Sequence, residues 1–209
     1  MNAEEKNTYS SDKKVLARIY GHKRGWVFTP EDFKGVGTRY AVASALKRHK
    51  QDGLIRQLAR GLYDYPRMDA KLGALSASSD EIAKALAGRD ALRLQPSGAY
   101  AANLLGLSTQ VPMKIVYLTD GRSRTVQIGR RQIILKQTSP RNMAAAGKIS
   151  GLVIQALRYL GQNHVDDEVI AQLDRRLDNA ARKQLIKDIR YAPGWIADIF
   201  RNMAEGHRP

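Results

Sequence analysis

Residues 29–66 read TPEDFKGVGTRYAVASALKRHKQDGLIRQLARGLYDYP, and this stretch decides the architecture of the first part of the chain. Thr29-Pro30-Glu31-Asp32 has the chemistry of a helix start: a hydroxyl cap, a proline that needs no N–H partner, and two acids where free N–H groups point. Gly35-Val36-Gly37 ends that helix. Thr38 caps a second helix that reaches Gln51 and stops at Asp52-Gly53. At 100° per residue, Val42, Ala45, Leu46 and His49 share a side that faces a core. Tyr40, Ser44, Lys47 and Arg48 share the opposite side, with Arg39 on its flank. Past Gly53, two short β-prone runs, 54–58 and 62–65, lie on either side of Arg60-Gly61 and predict a hairpin.

Upstream, residues 1–11 are polar and read as a frayed end. Ser11 or Asp12 caps a helix with apolar Val15, Leu16 and Ile19, closed by Gly21 and Gly25. Trp26-Val27-Phe28 is a short extended run. Helix, tight turn, helix and hairpin in this order form a winged helix-turn-helix. In that arrangement the helix from Thr38 lies in a DNA major groove. Its cations meet phosphates or guanine edges, and its hydroxyls serve as short hydrogen-bonding groups. The hairpin is the wing, placing Arg56 and Arg60 near the backbone or minor groove; a plain turn is the alternative for Arg60-Gly61.

Downstream, residues 68–79 are rich in Ala, Ser and Leu and read as a linker or loosely helical bridge. The domain boundary is set at 75, giving a DNA-binding domain over 1–75 and a second domain over 76–209. In the second, Ser79 or Asp80 caps a helix through Ala87, and Leu92–Gln95 is strand-like. Pro96-Ser97-Gly98 opens a helix to Leu105, and Lys114–Leu118 is a strand. Arg124–Ile128 and Gln132–Lys136 make a hairpin around Gly129-Arg130. From Met143 the pattern is helical, with Leu152, Val153, Ala156, Leu157 and Leu160 as one stripe. Asp166-Asp167-Glu168 starts another helix, and one or two more follow. The expected class is α+β: a winged helix-turn-helix, then a mixed α/β domain with a helical C-terminus.

The 209 residues hold 35 Lys and Arg against 20 Asp and Glu, a net charge of +15. Residues 1–75 carry +7 and residues 76–209 carry +8, so neither half is a neutral domain with a basic tail. Residues 38–60 hold six cations and one acid, and residues 120–148 hold seven and one. A solvated face is the plain alternative for both stretches. A polyanion is the expected partner. No cysteine is present, which excludes disulfides, thiolate metal sites and Cys nucleophiles. No apolar run reaches the ~20 residues of a membrane span and the first residues do not form a signal peptide, so a cytosolic protein is expected, with no membrane partner.

Signals for catalysis are weak. His22, His49, His164 and His207 form no ligand pair on a helix turn, and the acids near His164 read as a helix N-terminus. Ser97-Gly98 sits between a strand and a helix, like a nucleophile elbow, but G-x-S-x-G is absent and a helix cap is the simpler reading. There is no phosphate loop of the G-x-x-x-x-G-K-[ST] type, Gly35-x-Gly37 is too short for a dinucleotide fingerprint, and nothing nominates a carboxylate pair. No metal, no cofactor and no catalytic residue is expected.

The runs RGLYDYP (60–66), QPSG (95–98), NLLGLSTQVP (103–112) and YLTDG (117–121) resemble the AbiEi-like family of abortive-infection (type IV toxin–antitoxin) antitoxins. The similarity spans residues 12–160 and is less clear in the last ~50 residues. It implies an N-terminal winged helix-turn-helix and a C-terminal antitoxin domain. It also implies repression of the protein's own operon through inverted repeats in the promoter. A further implication is neutralisation of a nucleotidyltransferase-type toxin, often without a stable complex. In some members positive charge on the C-terminal domain assists operator binding; here Arg122, Arg124, Arg130, Arg131 and Lys136 are the candidates. The family motifs over 95–121 read as structural, and no catalytic residue is carried over. Two other readings stay open. One is a nucleic-acid-processing enzyme that carries a winged helix. The other is a basic interaction module that docks an acidic partner.

Overall fold

A computed structural model of the chain describes the backbone of residues 3–88 and 93–205 and the side chains within 11–88 and 93–204; Leu92 and His207 lie outside the described residues. The fold is mixed α+β, in two compact units, residues 1–86 and 87–209. The dividing point falls in the last turn of the third helix, whereas the sequence reading set it at 75.

In the first unit, α1 (Ala3–His22) packs beside α2 (Arg39–Gln51). β1 (Val27–Phe28), β2 (Arg56–Ala59) and β3 (Leu62–Asp64) form an antiparallel sheet in the order β1-β3-β2. Its core is Val15, Ile19, Phe28, Phe33, Val36, Val42, Ala45, Leu46, Ile55 and Tyr65. Full burial of each large apolar side chain stabilises by roughly 1.5–3 kcal/mol. Trp26 joins this core from its edge, tilted against Phe28 at 4.5 Å and stacked on His22 at 3.9 Å between ring centres.

Several expectations need correction here. Ser11 and Asp12 do not cap α1, which begins eight residues before Ser11. No Gly or Pro interrupts residues 3–20, so helix propensity carries the polar turns along. Ser11 is instead buried where α1 meets Gly37, whose missing Cβ makes room for the hydroxyl. The Thr29-Pro30 start is read correctly, since Asp32 Oδ2 accepts from Thr29 N at 2.7 Å, but it opens only a 3-10 turn over Pro30–Phe33. Gly35 at φ +83° then reverses the chain before an α-helix can propagate. The expected linker contains a small hairpin, β4 (Met68–Asp69) and β5 (Gly73–Ala74). Asp69 Oδ1 accepts from the N–H groups of Lys71 and Leu72, an Asx turn that holds its own carboxyl below the usual range.

α3 (Ser79–Ala87) closes the first unit. The second unit has a four-stranded sheet of β6 (Leu94–Ser97), β7 (Lys114–Thr119), β8 (Arg124–Ile128) and β9 (Arg131–Gln137). The order is β6-β7-β9-β8, so β9 lies between β7 and its own hairpin partner β8. β7 and β9 run parallel with Ile115 opposite Ile133 and Tyr117 opposite Leu135, all four buried. The helices are α4 (Gly98–Leu104), α5 (Ile149–Leu160), α6 (Asp167–Arg176), α7 (Asn179–Lys187) and α8 (Gly194–Glu205). They share a second core around Ala102, Val153, Leu157, Leu173, Leu185, Ile196 and Phe200, with Trp195 packed against it. Residues 140–147 form turns rather than the helix expected from Met143. Asp166 caps α6 through the N–H of Val169 at 2.9 Å, as its position predicts.

Candidate nucleic-acid interface

Thr38 Oγ1 accepts from Ala41 N at 3.1 Å and starts α2, and three basic residues in the last turn complement its C-terminal dipole. Val42, Ala45, Leu46 and His49 are all buried. The opposite side is therefore turned to solvent. Arg39, Tyr40, Lys47 and Arg48 are exposed, Tyr40 at 83 %, and Ser44 is half-buried between them. From Arg39 to Lys47 the helix rises about 12 Å, at 1.5 Å per residue.

These side chains differ in how free they are. Arg39, Tyr40 and Lys47 make no hydrogen bond or ion pair among the described residues. Arg48 donates to Ser44 Oγ at 3.2 Å and to Asp12 Oδ1 on α1 at 2.8 Å. His49 Nε2 lies 3.2 Å from the same Asp12 oxygen but is too poorly aligned for a hydrogen bond. Asp12 thus tethers α1 to α2 and offsets part of the charge of Arg48.

The hairpin β2–β3 turns at Arg60-Gly61, with Gly61 at φ +71° and Arg60 exposed. Lys50 Nζ donates to Gln57 Oε1 at 3.1 Å, tying the end of α2 to β2. Lys50 is exposed on this side and was missed in the sequence reading, although its place one turn after Lys47 marks it. Arg56 is differently placed. Its guanidinium forms a two-point contact with Asp64, whose carboxylate is buried, and also reaches the carbonyl oxygens of Ala74 and Leu75. The hydrogen bond to Asp64 raises the Arg56 pKa despite the opposing effect of burial. Arg56 is therefore committed within the unit, holding β2, β3 and the chain after β5 together.

In the second unit, Arg122 and Arg124 lie at the start of β8, Arg130 lies in the turn after it, and Arg131 opens β9 opposite Ile128. The four steps from Arg124 to Ile128, the partner of Arg131, place the two pairs about 14 Å apart at 3.4 Å per residue. The four do not converge on a point; they line the two ends of an edge strand. Arg122, Arg124 and Arg130 are exposed, and Arg131 is half-buried.

Residues 14–185 match the model of DUF6088, a family of unknown function. The chain belongs to DUF6088. No curated protein matches it. The DUF6088 match begins inside α1 and ends within α7, so it includes the whole exposed face of α2 and all four arginines around β8. Among the described residues of this DUF6088 chain, no three His, Asp or Glu residues are grouped to hold a metal ion, and no helix is long and apolar enough to cross a membrane.

Proposed function

We propose that the first unit of this DUF6088 protein is a winged helix-turn-helix that binds double-stranded DNA through α2, and that the protein represses its own operon and acts as its antitoxin. The carrying observation is the solvent side of α2. A Tyr, a Ser and several cations project from one face there, and Asp12 is the one acid in contact with it among the described residues. A helix of this diameter fits the major groove, about 12 Å wide. Arg39 and Lys47 have no competing intramolecular partner, so phosphate contact costs them no broken ion pair. Arg60 at the hairpin turn extends the same chemistry as a wing, and the arginines around β8 add phosphate contacts from the second unit.

The antitoxin role rests on the AbiEi-like runs at 60–66 and 95–121. It implies a nucleotidyltransferase-type toxin as functional partner, neutralised without catalysis by this chain. A gel-shift titration with inverted repeats from upstream of its own gene tests the DNA reading. Preference for those repeats over random duplex at moderate salt is expected, and equal affinity for both refutes the repressor. Rescue of growth when the chain is co-expressed with the product of the neighbouring gene tests the antitoxin role.

A further inference from the structure

The second unit has a small pocket that the arginines around β8 do not line. It lies between the turns of residues 138–148, one side of α5 and the 3-10 turn Ile189–Tyr191. Its polar lining is Arg141, Asn142, Gln155, Arg158 and Tyr191. Gly151 allows the close packing that shapes it, since a Cβ there would overlap the carbonyl of Ala145 and the side chain of Gln95.

The hydrogen-bonding capacity of this lining is one-sided. Gln155, in the lining, is 8 % exposed and its Oε1 accepts from Ser97 Oγ at 3.0 Å, which leaves its NH2 group without a partner among the described residues. Tyr191 Oη accepts from Arg190 Nη2 at 2.8 Å, and the Arg190 guanidinium stacks 4.9 Å over the same ring. A phenol oxygen that accepts from a cation keeps its own proton to donate. Asn142 Nδ2 donates to Thr138 Oγ1 at 2.9 Å, and Asn142 Oδ1 receives a long 3.4 Å contact from Arg158. Arg141 and Arg158 are exposed and have no carboxylate partner among the described residues. No Asp or Glu lines the pocket.

The Tyr191 turn is held in place from below. Asp188 is buried and accepts from Ser150 Oγ, from Lys148 Nζ at 3.0 Å and from Gln184 Nε2 at 2.7 Å. Tyr191 N donates to Asp188 O at 2.9 Å, so this network fixes the Tyr191 turn against the start of α5. Two guanidinium groups, an amide and a phenol that can donate, with no carboxylate in the lining, are the chemistry of an oxyanion site.

The depression itself holds about 10 Å³, room for one water molecule, and we propose that the exposed guanidinium groups of Arg141 and Arg158 at its mouth bind a phosphoryl group, supplied by free phosphate or by a small phosphorylated ligand such as a nucleotide. The test is calorimetric titration of the full chain with inorganic phosphate and with adenosine 5′-monophosphate, in millimolar ranges at constant ionic strength. Saturable one-to-one binding is expected. Arg141→Gln, Arg158→Gln and Tyr191→Phe should each weaken it, the arginine changes by about tenfold, with Arg158→Lys less harmful than Arg158→Gln. Arg175→Gln/Lys183→Gln removes the same net charge as the Arg141→Gln/Arg158→Gln pair elsewhere in the unit, and should leave binding intact. Equal affinity for the two ligands assigns the site to the phosphoryl group alone, and tighter binding of the nucleotide extends it to the nucleoside. Absence of saturable heat from both ligands would overturn the proposal. So would undiminished binding by a folded Arg141→Gln/Arg158→Gln variant, or an equal loss in the Arg175→Gln/Lys183→Gln control. Failure of the operator gel shift leaves this site standing, and its own failure leaves the gel shift standing.

Discussion

Lys47 and Arg56 show how two cations of one unit take different roles. Arg56 is locked to a carboxylate that is 2 % exposed, while Lys47 and Arg39 reach solvent unpaired. Lys47→Ala should lower DNA affinity and reduce the slope of log affinity against log salt by about 0.9, with no change in melting temperature. Arg56→Ala should behave in the opposite way. It leaves Asp64 buried without its partner, and urea unfolding should show a loss of about 1.5–3 kcal/mol. Asp188 gives a pH signature. Burial pushes its carboxyl up, but hydrogen bonds from Ser150, Gln184 and Lys148 outweigh this and hold it below the usual range. A carboxyl depressed in the folded state binds fewer protons than in the unfolded chain. Its contribution is therefore complete above the ordinary carboxylate pKa and is lost as pH falls through the lower folded value. Denaturation from pH 7 down to pH 2 should show this loss, and Asp188→Asn should be less stable at neutral pH and flatter across the acid range.

Among the elements, the packing of α1 on the start of α2 depends on a single missing atom. Gly37→Ala would place a Cβ against Ser11 inside α1. Overpacking of this kind costs roughly 1–3 kcal/mol, so thermal melting should shift down and DNA binding should weaken with it. Thr38→Ala removes the cap on α2 and should cost about 1 kcal/mol without a clash. These elements also show what the sequence makes readable. α2 was legible to the residue because a hydroxyl cap, a 3.6-residue apolar period and a closing Asp-Gly agree with one another. The hairpin around Arg60-Gly61 was legible from its β-prone flanks. β4 and β5 were not, because two-residue strands carry no period and only the Asx turn at Asp69 marks them. The parallel pairing of β7 with β9 is a non-local choice, which local alternation does not encode. In the candidate interface, the α2 face followed from periodicity, whereas the engagement of Arg56 with Asp64 needed the register of β2 on β3.

At the scale of the whole molecule, positive charge is spread over both units, and the two contributions can be separated by salt. If the arginines around β8 touch phosphates, replacing Arg122, Arg124, Arg130 and Arg131 together should lower the salt slope by about 0.9 for each one that makes contact. Sequence preference should survive, because phosphate contacts position a protein without reading bases. Replacement of the α2 cations should lower both the slope and the preference. Fluorescence-anisotropy titrations at several salt concentrations measure these quantities together.

The placement of the two indoles has a practical consequence. Trp26 lies at the edge of one apolar core and Trp195 against the other, and the chain has no third tryptophan. Trp195→Phe leaves an emission that reports on residues 1–86 alone, and Trp26→Phe leaves one that reports on residues 87–209. Each half of the chain thus carries its own optical label, and loss of order in either can be followed without attaching a dye.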